Sequence, residues 1–489
     1  MPAAMGPHPH LTRALGGEPA TLDPRLAEDN AALALAQELF EGLTAEAADG
    51  RIVPGAADSW SVSEDGRTWT FRLRENLRWS NGTPLTAAQF VAGLDAARVA
   101  DSQAPYSTLL HDVTSTRATD SRTVVLELAR ALTYLPAVLA LPVAAPQHLA
   151  VGADASVIGN GPYRLLARRP GEKIELERNP HYHSADSVAI ERVIYLTLED
   201  LNTELNLYRS GALDVTSEVP NTQVRWLQQN LPGELHIAPY LSTYAYAVNL
   251  RRLPDHDSRV ALAMAVDRRQ VTERVTGAGE VPALSWVPPG IPGYSPPRFT
   301  WADVPADELA RRARELWAAA MERGATPARL TLCTDASANH HRTAVALADQ
   351  WRRTLGLEVT IVEMEWKAYL AMREQPGPCD LIRFGWSADF VDPEAFLGLF
   401  TSGHAQNLAG YSNPAYDALL STADAAADAG ERAATLASAE RLLLADAVVI
   451  PVFHRVSKRL VKPGIEGITT NPLGHLPSRY LRLRPPGRK

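Results

Sequence analysis

The sequence predicts a mixed α/β protein of several interwoven domains, with parallel strands in an open sheet. Three observations carry this. Leu330 to Cys333 reads as a strand, His340 to Arg353 as a helix and Leu357 to Val362 as a strand again. That order and length fit a βαβ unit, whose two strands lie parallel. Strand-period and helix-period hydrophobic patterns alternate along the chain without an internal repeat. Finally, 489 residues at 46% hydrophobic suffice for about two to four domains, yet no linker interrupts them. The chain is therefore expected to cross between domains more than once.

The individual elements follow from local chemistry. Trp69, Phe71 and Leu73 alternate with polar residues as a half-buried strand. Asn81-Gly82 is a turn signal. Thr86 and Gln89 form a capping box ahead of Phe90, Val91, Leu94 and Ala97, an amphipathic helix. Val124, Leu126 and Leu128 make a second strand, and Ile174 and Leu176 a third, closed by Arg178-Asn179-Pro180. Val193 to Leu198 is rich in β-branched residues, and Thr203 to Arg209 is a helix stopped by Gly211. Leu309, Ala313, Leu316, Trp317 and Ala320 have helical spacing, with Gly324 suited to the position just past the end. Pro414 to Ala427 and Ala433 to Asp446 read as consecutive helices, and Val448 to Phe453 as an apolar strand. The Pro/Gly-rich segment from Pro288 to Pro297 reads as a surface loop.

Composition excludes several classes. The net charge is -8, with both signs interspersed and no Lys/Arg run, which argues against nucleic acid as a partner. No apolar stretch reaches membrane-spanning length, and Leu135 to Pro146 is broken by Pro136, Pro142 and Pro146. Met1 to Gly17 lacks an apolar core and a lipobox cysteine, so no secretory signal is expected in this chain; either it was trimmed or the protein stays in the cytoplasm. Neither a nucleophile elbow, a zinc-protease helix, a phosphate-binding loop nor a dinucleotide fingerprint is present. His8 and His10, His181 and His183, and His340 and His341 lack carboxylates at ligand spacing, so no metal and no cofactor is expected. Asp389 and Asp392 are an acidic pair of a kind any long acidic chain contains. Cys333 and Cys379 form no metal motif; they read as two separate buried thiols, with a disulfide as the alternative.

A series of motifs then resembles one family. Thr21-Leu22-Asp23-Pro24 and Leu39-Phe40-Glu41-Gly42-Leu43 come first, followed by a dense run from Trp69 through Trp79 and Gly82 to Ala87. Asn160-Gly161-Pro162-Tyr163, the stretch from Leu176 to Tyr182, that from Tyr208 to Asp214, Ala265-Val266-Asp267-Arg268 and Gly385-Trp386-Ser387-Ala388-Asp389 follow in order. From about Pro19 to about Leu483 the chain resembles the oligopeptide- and dipeptide-binding proteins of ABC importers (extracellular solute-binding protein family 5).

That resemblance implies a type II (class C) periplasmic-binding-protein fold, two lobes around a hinge with an extra inserted domain and ligand enclosed between the lobes. Lobe I would comprise residues 1–47, 161–241 and 456–489, the insertion 48–160, and lobe II 242–455. The implied function is capture of short peptides, or peptide-like ligands, for a membrane permease, by an extracytoplasmic monomer that is not an enzyme. Asp389 matches the carboxylate that receives the ligand ammonium, and Arg383, Arg373 and His340 match groups that meet its carboxylate. Tyr106 and Trp366 match aromatic residues lining the cleft, and Glu28 and Asn30 residues of the facing lobe. The stretch around Trp386 and Ser387, and that from Tyr240 to Asn249 with Tyr246, match segments that pair with the peptide backbone as an added strand. Departures are Ser242 and Ser387, where relatives hold a disulfide-linked cysteine pair, Ala247 in place of a glutamate and Thr276 in place of a lysine. Two other readings stand beside this one: a cytoplasmic biosynthetic enzyme on the same fold, and a specialised binder of a nickel chelate or haem.

Overall fold

The computed structural model describes residues 10–99, 104–148, 157–374, 377–404, 406–426 and 428–484; His8 lies outside these. The chain divides into two compact units, Met1–Ala238 with Ser457–Lys489, and Pro239–Val456.

In the first unit the strands are, in order, β1 (Leu11–Ala14), β2 (Thr44–Glu46), β3 (Ile52–Pro54), β4 (Ala57–Val62), β5 (Thr68–Leu73), β6 (Val113–Ala118), β7 (Thr123–Leu128), β8 (Tyr163–Arg169), β9 (Lys173–Arg178) and β10 (Arg192–Leu196). β11 (Leu235–Val248) carries the chain into the second unit, which adds β12 (Val281–Pro282), β13 (Arg329–Asp335), β14 (Glu358–Met364) and β15 (Leu381–Ser387). β16 (Val449–Leu460) brings it back to β17 (Ile465–Glu466) and β18 (Arg482–Leu483).

The first unit has a four-stranded sheet β1-β10-β9-β8, in which β1 and β10 are parallel, and an antiparallel sheet β4-β5-β7-β6. The alternation read at Trp69, Phe71 and Leu73 buries one face of β5, which meets β7 in the register Trp69↔Leu126 and Phe71↔Val124. The capping box forms: the Thr86 amide donates to Gln89 Oε1 at 2.8 Å, opening the helix Ala87–Arg98. Asp200 accepts the Thr203 amide at 2.7 Å to start Leu201–Ser210, and Gly211 ends it at φ 84°, a conformation glycine adopts without a steric penalty.

The second unit is built on a six-stranded sheet, β12-β16-β11-β15-β13-β14. β13 and β14 are parallel and joined by the helix Ala338–Leu355, the βαβ unit the sequence predicts. Two helices, Pro414–Ala425 and Ala429–Ala445, follow as expected. The second begins earlier than its apolar spacing indicates, because Asp428 accepts the Glu431 amide at 2.8 Å and caps it. β16 likewise continues beyond Phe453 to Leu460, through polar residues that an apolar run does not mark.

One expectation is corrected and another refined. Cys333 and Cys379 are not separate thiols: they form a disulfide, both fully buried, with Cα atoms 5.7 Å apart. Cys333 lies on β13 and Cys379 just ahead of β15, so sheet order brings together residues that sequence distance separates. Pro288–Pro297 is the irregular loop expected, with Pro289, Gly290, Pro292, Gly293 and Ser295 exposed, but it is anchored to the core. Ile291 and Tyr294 are buried, and Tyr294 Oη donates to Glu440 Oε2 at 2.5 Å, while Glu440 Oε1 accepts the Trp286 and Val287 amides at 2.8 Å each. Burial pushes the Glu440 carboxyl up to about 7, against the pull of these donors.

The disulfide closes a loop of 46 residues, for which loss of chain entropy in the unfolded state amounts to about 2–4 kcal/mol. Reduction, or the paired change Cys333→Ser and Cys379→Ser, is expected to lower the urea midpoint of the second unit. Identical midpoints for oxidised and reduced protein would contradict the pairing.

Candidate functional site

The candidate site is built where the pairing of β15 changes. β11 follows β15 along its whole length, from Val248↔Leu381 to Ser242↔Ser387. β13 registers with it at Leu332↔Leu381 and Cys333↔Ile382, and among the described residues no β13 partner follows. From Arg383 to Ser387, β15 therefore has a ladder on one side. This is the carboxyl end of the parallel strands, where open α/β sheets place their ligands.

Strand alternation sets the side chains. Arg383, Gly385 and Ser387 share a face with Tyr246, Tyr244 and Ser242 of β11. β13 ends there at Asp335, and the helix that follows presents His340 in its first turn. His340 Nδ1 lies 2.7 and 3.0 Å from the two Asp335 oxygens, and Arg383 Nη2 lies 3.1 Å from both nitrogens of the His340 ring. The Asp335 carboxylate assigns the proton to Nδ1, which donates to it, while Arg383 Nη2, equidistant from the two ring nitrogens, stands against the face of the imidazole. Burial, with the Arg383 guanidinium alongside, lowers the imidazole to about 4, despite the Asp335 carboxylate. Arg383 Nε is 3.4 Å from Asp335 Oδ1, and the Arg383 carbonyl accepts from Tyr369 Oη.

Aromatic rings support this cluster. The Arg383 guanidinium stands 5.7 Å from the Tyr244 ring centre and that of Arg455 stands 5.8 Å from the same ring. Tyr244 stacks on Phe453 at 4.7 Å. Tyr246 is fully buried, its hydroxyl 3.3 Å from that of Tyr244 and its ring 6.5 Å from Trp351. Its side chain therefore belongs to the support of Tyr244 rather than to an open surface.

The remaining expected residues distribute as follows. Ser387 Oγ donates to Ser242 Oγ at 2.9 Å, so the two serines meet in register as the implied cysteine pair would. Trp386 is half-buried, and its Nε1 is buried without a hydrogen-bond partner among the described residues. Asp389 is half-buried and follows the end of β15 by two residues. Arg373 lies over the Phe384 ring at 5.9 Å, and Phe384 leaves β15 on the face opposite Arg383. Trp366 opens the helix Trp366–Glu374, but its side chain lies outside those described. Glu28, Asn30 and Tyr106 belong to the first unit. Glu28 and Asn30 are exposed and flank Asp29, which caps the helix Asn30–Leu39 through the Ala32 amide at 2.8 Å. Tyr106 is half-buried ahead of the turn Ser107–Leu110.

One backbone expectation is corrected. Residues 242–248 of β11 lie inside the sheet, between β16 and β15, so this segment offers no edge to an added strand. Among the other candidates, Asp392 is held by Arg432 at 2.8 and 2.9 Å, His183 lies 2.6 Å from Glu41, and His341 pairs with Glu363. No group of three or more potential metal ligands occurs among the described residues. Sequence reading missed Asp335, Tyr244, Tyr369 and Arg455; of these Asp335 had a signal, a carboxylate at a strand end just before a helix that opens with His340.

Residues 51–407 match the bacterial extracellular solute-binding proteins, family 5 Middle. The chain belongs to this family. Among its family 5 relatives, the periplasmic murein peptide-binding protein MppA of Escherichia coli is 33% identical over 94% of this chain and 90% of its own. The periplasmic oligopeptide-binding protein OppA of Salmonella typhimurium is also 33% identical, over 94% and 89%. The probable deoxycholate-binding periplasmic protein YgiS of E. coli is 34% identical, over 96% and 92%. Among solved structures, Haemophilus influenzae OppA in complex with the peptide RPPGFSPFR superposes with a TM-score of 0.81 at 31% identity, covering 97% of this chain and 98% of its own. The E. coli murein tripeptide binding protein MppA gives 0.84 at 31%, over 97% and 98%. The fold is thus the type II periplasmic-binding fold of family 5.

The neutral His340 has a pH signature. Its folded pKa, about 4, lies below the ordinary value of 6.5, so the unfolded chain binds a proton first as pH falls. The stability present above pH 6.5 is lost progressively toward pH 4, by roughly 1 kcal/mol at pH 5.5 from this group. Unfolding free energies measured at pH 7.5 and 5.5 should show a smaller acid loss in His340→Gln than in wild type. Equal losses would mean that His340 is not held neutral.

Proposed function

We propose that this protein binds short peptides with a free amino terminus and passes them, unchanged, to an ABC-transporter permease on the outer side of the cytoplasmic membrane. One observation carries the reading: the one-sided stretch of β15 from Arg383 to Ser387 runs from the Arg383–His340–Asp335 cluster toward the Asp389 carboxylate. At about 3.3 Å per residue it offers roughly 13 Å of strand, matching an extended peptide of about four residues. A peptide added along this edge would place its ammonium at Asp389 and its carboxylate toward Arg383. Backbone pairing disregards side chains and so accepts many sequences. The charged ends supply direction, each charge-assisted hydrogen bond contributing roughly 1.5–3 kcal/mol. The unpartnered Trp386 Nε1 is a further donor to ligand.

Arg373, Trp366, Tyr106, Glu28 and Asn30 complete the proposed ligand contacts. Residues 48–160, which carry β4 to β7, are assigned to the inserted domain within the first unit. The disulfide between Cys333 and Cys379 supports an oxidising, extracytoplasmic compartment, and the protein is proposed to act as a monomer. The relatives named for peptides support the ligand class. A bile acid such as the ligand in the name of YgiS carries a carboxylate and no ammonium, which leaves Asp389 without a role.

Calorimetric titration with tetra-alanine tests the reading. Asp389→Ala is expected to weaken binding by roughly 2–4 kcal/mol, as when one partner of a desolvated pair is removed. N-acetylation of the peptide should cost wild type a comparable amount. Equal affinity of wild type and variant would sink the Asp389 assignment, and binding of deoxycholate in place of any peptide would overturn the ligand class.

A further inference from the structure

We propose that the Tyr369 hydroxyl ends the backbone pairing of the ligand, so that a bound peptide forms strand hydrogen bonds with Gly385 and Ser387 but none with the Arg383 carbonyl. The inference rests on the peptide reading above and deepens it by naming a residue that sets how far along a ligand its peptide bonds are read. Strand alternation decides which groups of β15 face outward. The Ala388 amide donates to the Leu241 carbonyl at 2.8 Å, continuing the register Ser242↔Ser387. Backbone groups of a strand point to its two sides in alternation, so the even-numbered residues of β15 face β11. Arg383, Gly385 and Ser387 then direct their amides and carbonyls to the other side. The same phase follows from β11, where the Val248 amide donates to the Val448 carbonyl at 3.0 Å and so turns away from β15. On the outward side β13 registers with β15 as far as Ile382.

The three outward residues are not equivalent. The Arg383 carbonyl already accepts from Tyr369 Oη. Tyr369 lies on the helix Trp366–Glu374 that joins β14 to β15, and its hydroxyl arrives at the edge where the β13 ladder leaves off. Its side chain is fully buried, so the close-packed interior holds the ring in place. An incoming amide would have to displace this hydroxyl and leave a buried polar group unsatisfied, which costs more than the exchanged bond returns. Gly385 and Ser387 have no such occupant: among the described residues no strand pairs with them on this side. A peptide with its amino terminus toward Asp389 runs antiparallel to β15, and its hydrogen-bonded residues recur at every second position. The pairing position after the one opposite Gly385 would therefore meet the Arg383 carbonyl, where Tyr369 already stands. The stop divides the ligand into an amino-terminal part read through its backbone and a carboxyl-terminal part held by its charge.

The test replaces single amide N–H groups of tetra-, penta- and hexa-alanine by ester oxygens, one position at a time, and titrates each analogue into wild type and Tyr369→Phe. In wild type an ester is expected to weaken binding about tenfold at no more than two positions, two residues apart, and to leave affinity unchanged two residues further toward the carboxyl end. Tyr369→Phe releases the Arg383 carbonyl. That further position should then become sensitive to the ester, and peptides long enough to reach it should bind the variant more tightly than wild type. A general loosening of the site would weaken all analogues alike and would not move this pattern. Sensitivity at the further position in wild type, or the same pattern and length preference in both proteins, overturns the proposal while leaving peptide binding intact. Esters without effect at every position overturn it together with strand pairing, and failure of wild type to bind any parent peptide overturns it together with the peptide reading. If Tyr369→Phe does not fold, the wild-type scan decides, because a third alternate sensitive position in hexa-alanine contradicts a stop at Arg383.

Discussion

A buried guanidinium organises the second unit. Arg383 is 9% exposed, and a charge so placed is tolerated only when paired and hydrogen-bonded. Its answer comes from Asp335 at the end of β13, through direct approach and through a neutral His340 donating to the same carboxylate. For Asp335 to be there, β13 must stop pairing with β15 at Ile382, and the chain must turn at once into a helix. The same arrangement opens one side of β15 and sets a cationic group at the start of the opened stretch. The site and the core therefore share one electrostatic constraint, and removing Asp335 would disturb both.

Much of the fold was readable because its signals are local. The Thr86–Gln89 capping box, the Gly211 stop and the alternation in β5 act within a few residues, and each formed as its chemistry requires. What was not readable depends on contacts between elements far apart in sequence. Cys333 and Cys379 meet because β13 and β15 are neighbours, and Tyr294 is buried because Glu440, far along the chain, accepts its hydroxyl. The site divides in the same way. His340 and Arg383 could be picked out by resemblance and come together in contact. Tyr246 could be picked out equally well, yet its side chain turns into the interior against Trp351, because burial on a central strand is decided by both neighbouring strands.

The proposed recognition separates two tasks. Backbone pairing would give affinity without regard to sequence, while the charged ends would fix direction and preference among ligands. Relatives of similar identity carry names for murein peptide, oligopeptide and deoxycholate, so the shared fold fixes no single ligand. In the proposed reading, the Asp389 carboxylate and the Arg383 guanidinium on the Tyr244 ring are what narrow the choice.

The most direct measurement is native mass spectrometry of freshly purified protein, followed by denaturation to release and identify what is bound. The account predicts a heterogeneous set of short peptides, centred near four residues and with free amino termini. A single defined non-peptide molecule, or a chemically altered product, would contradict it.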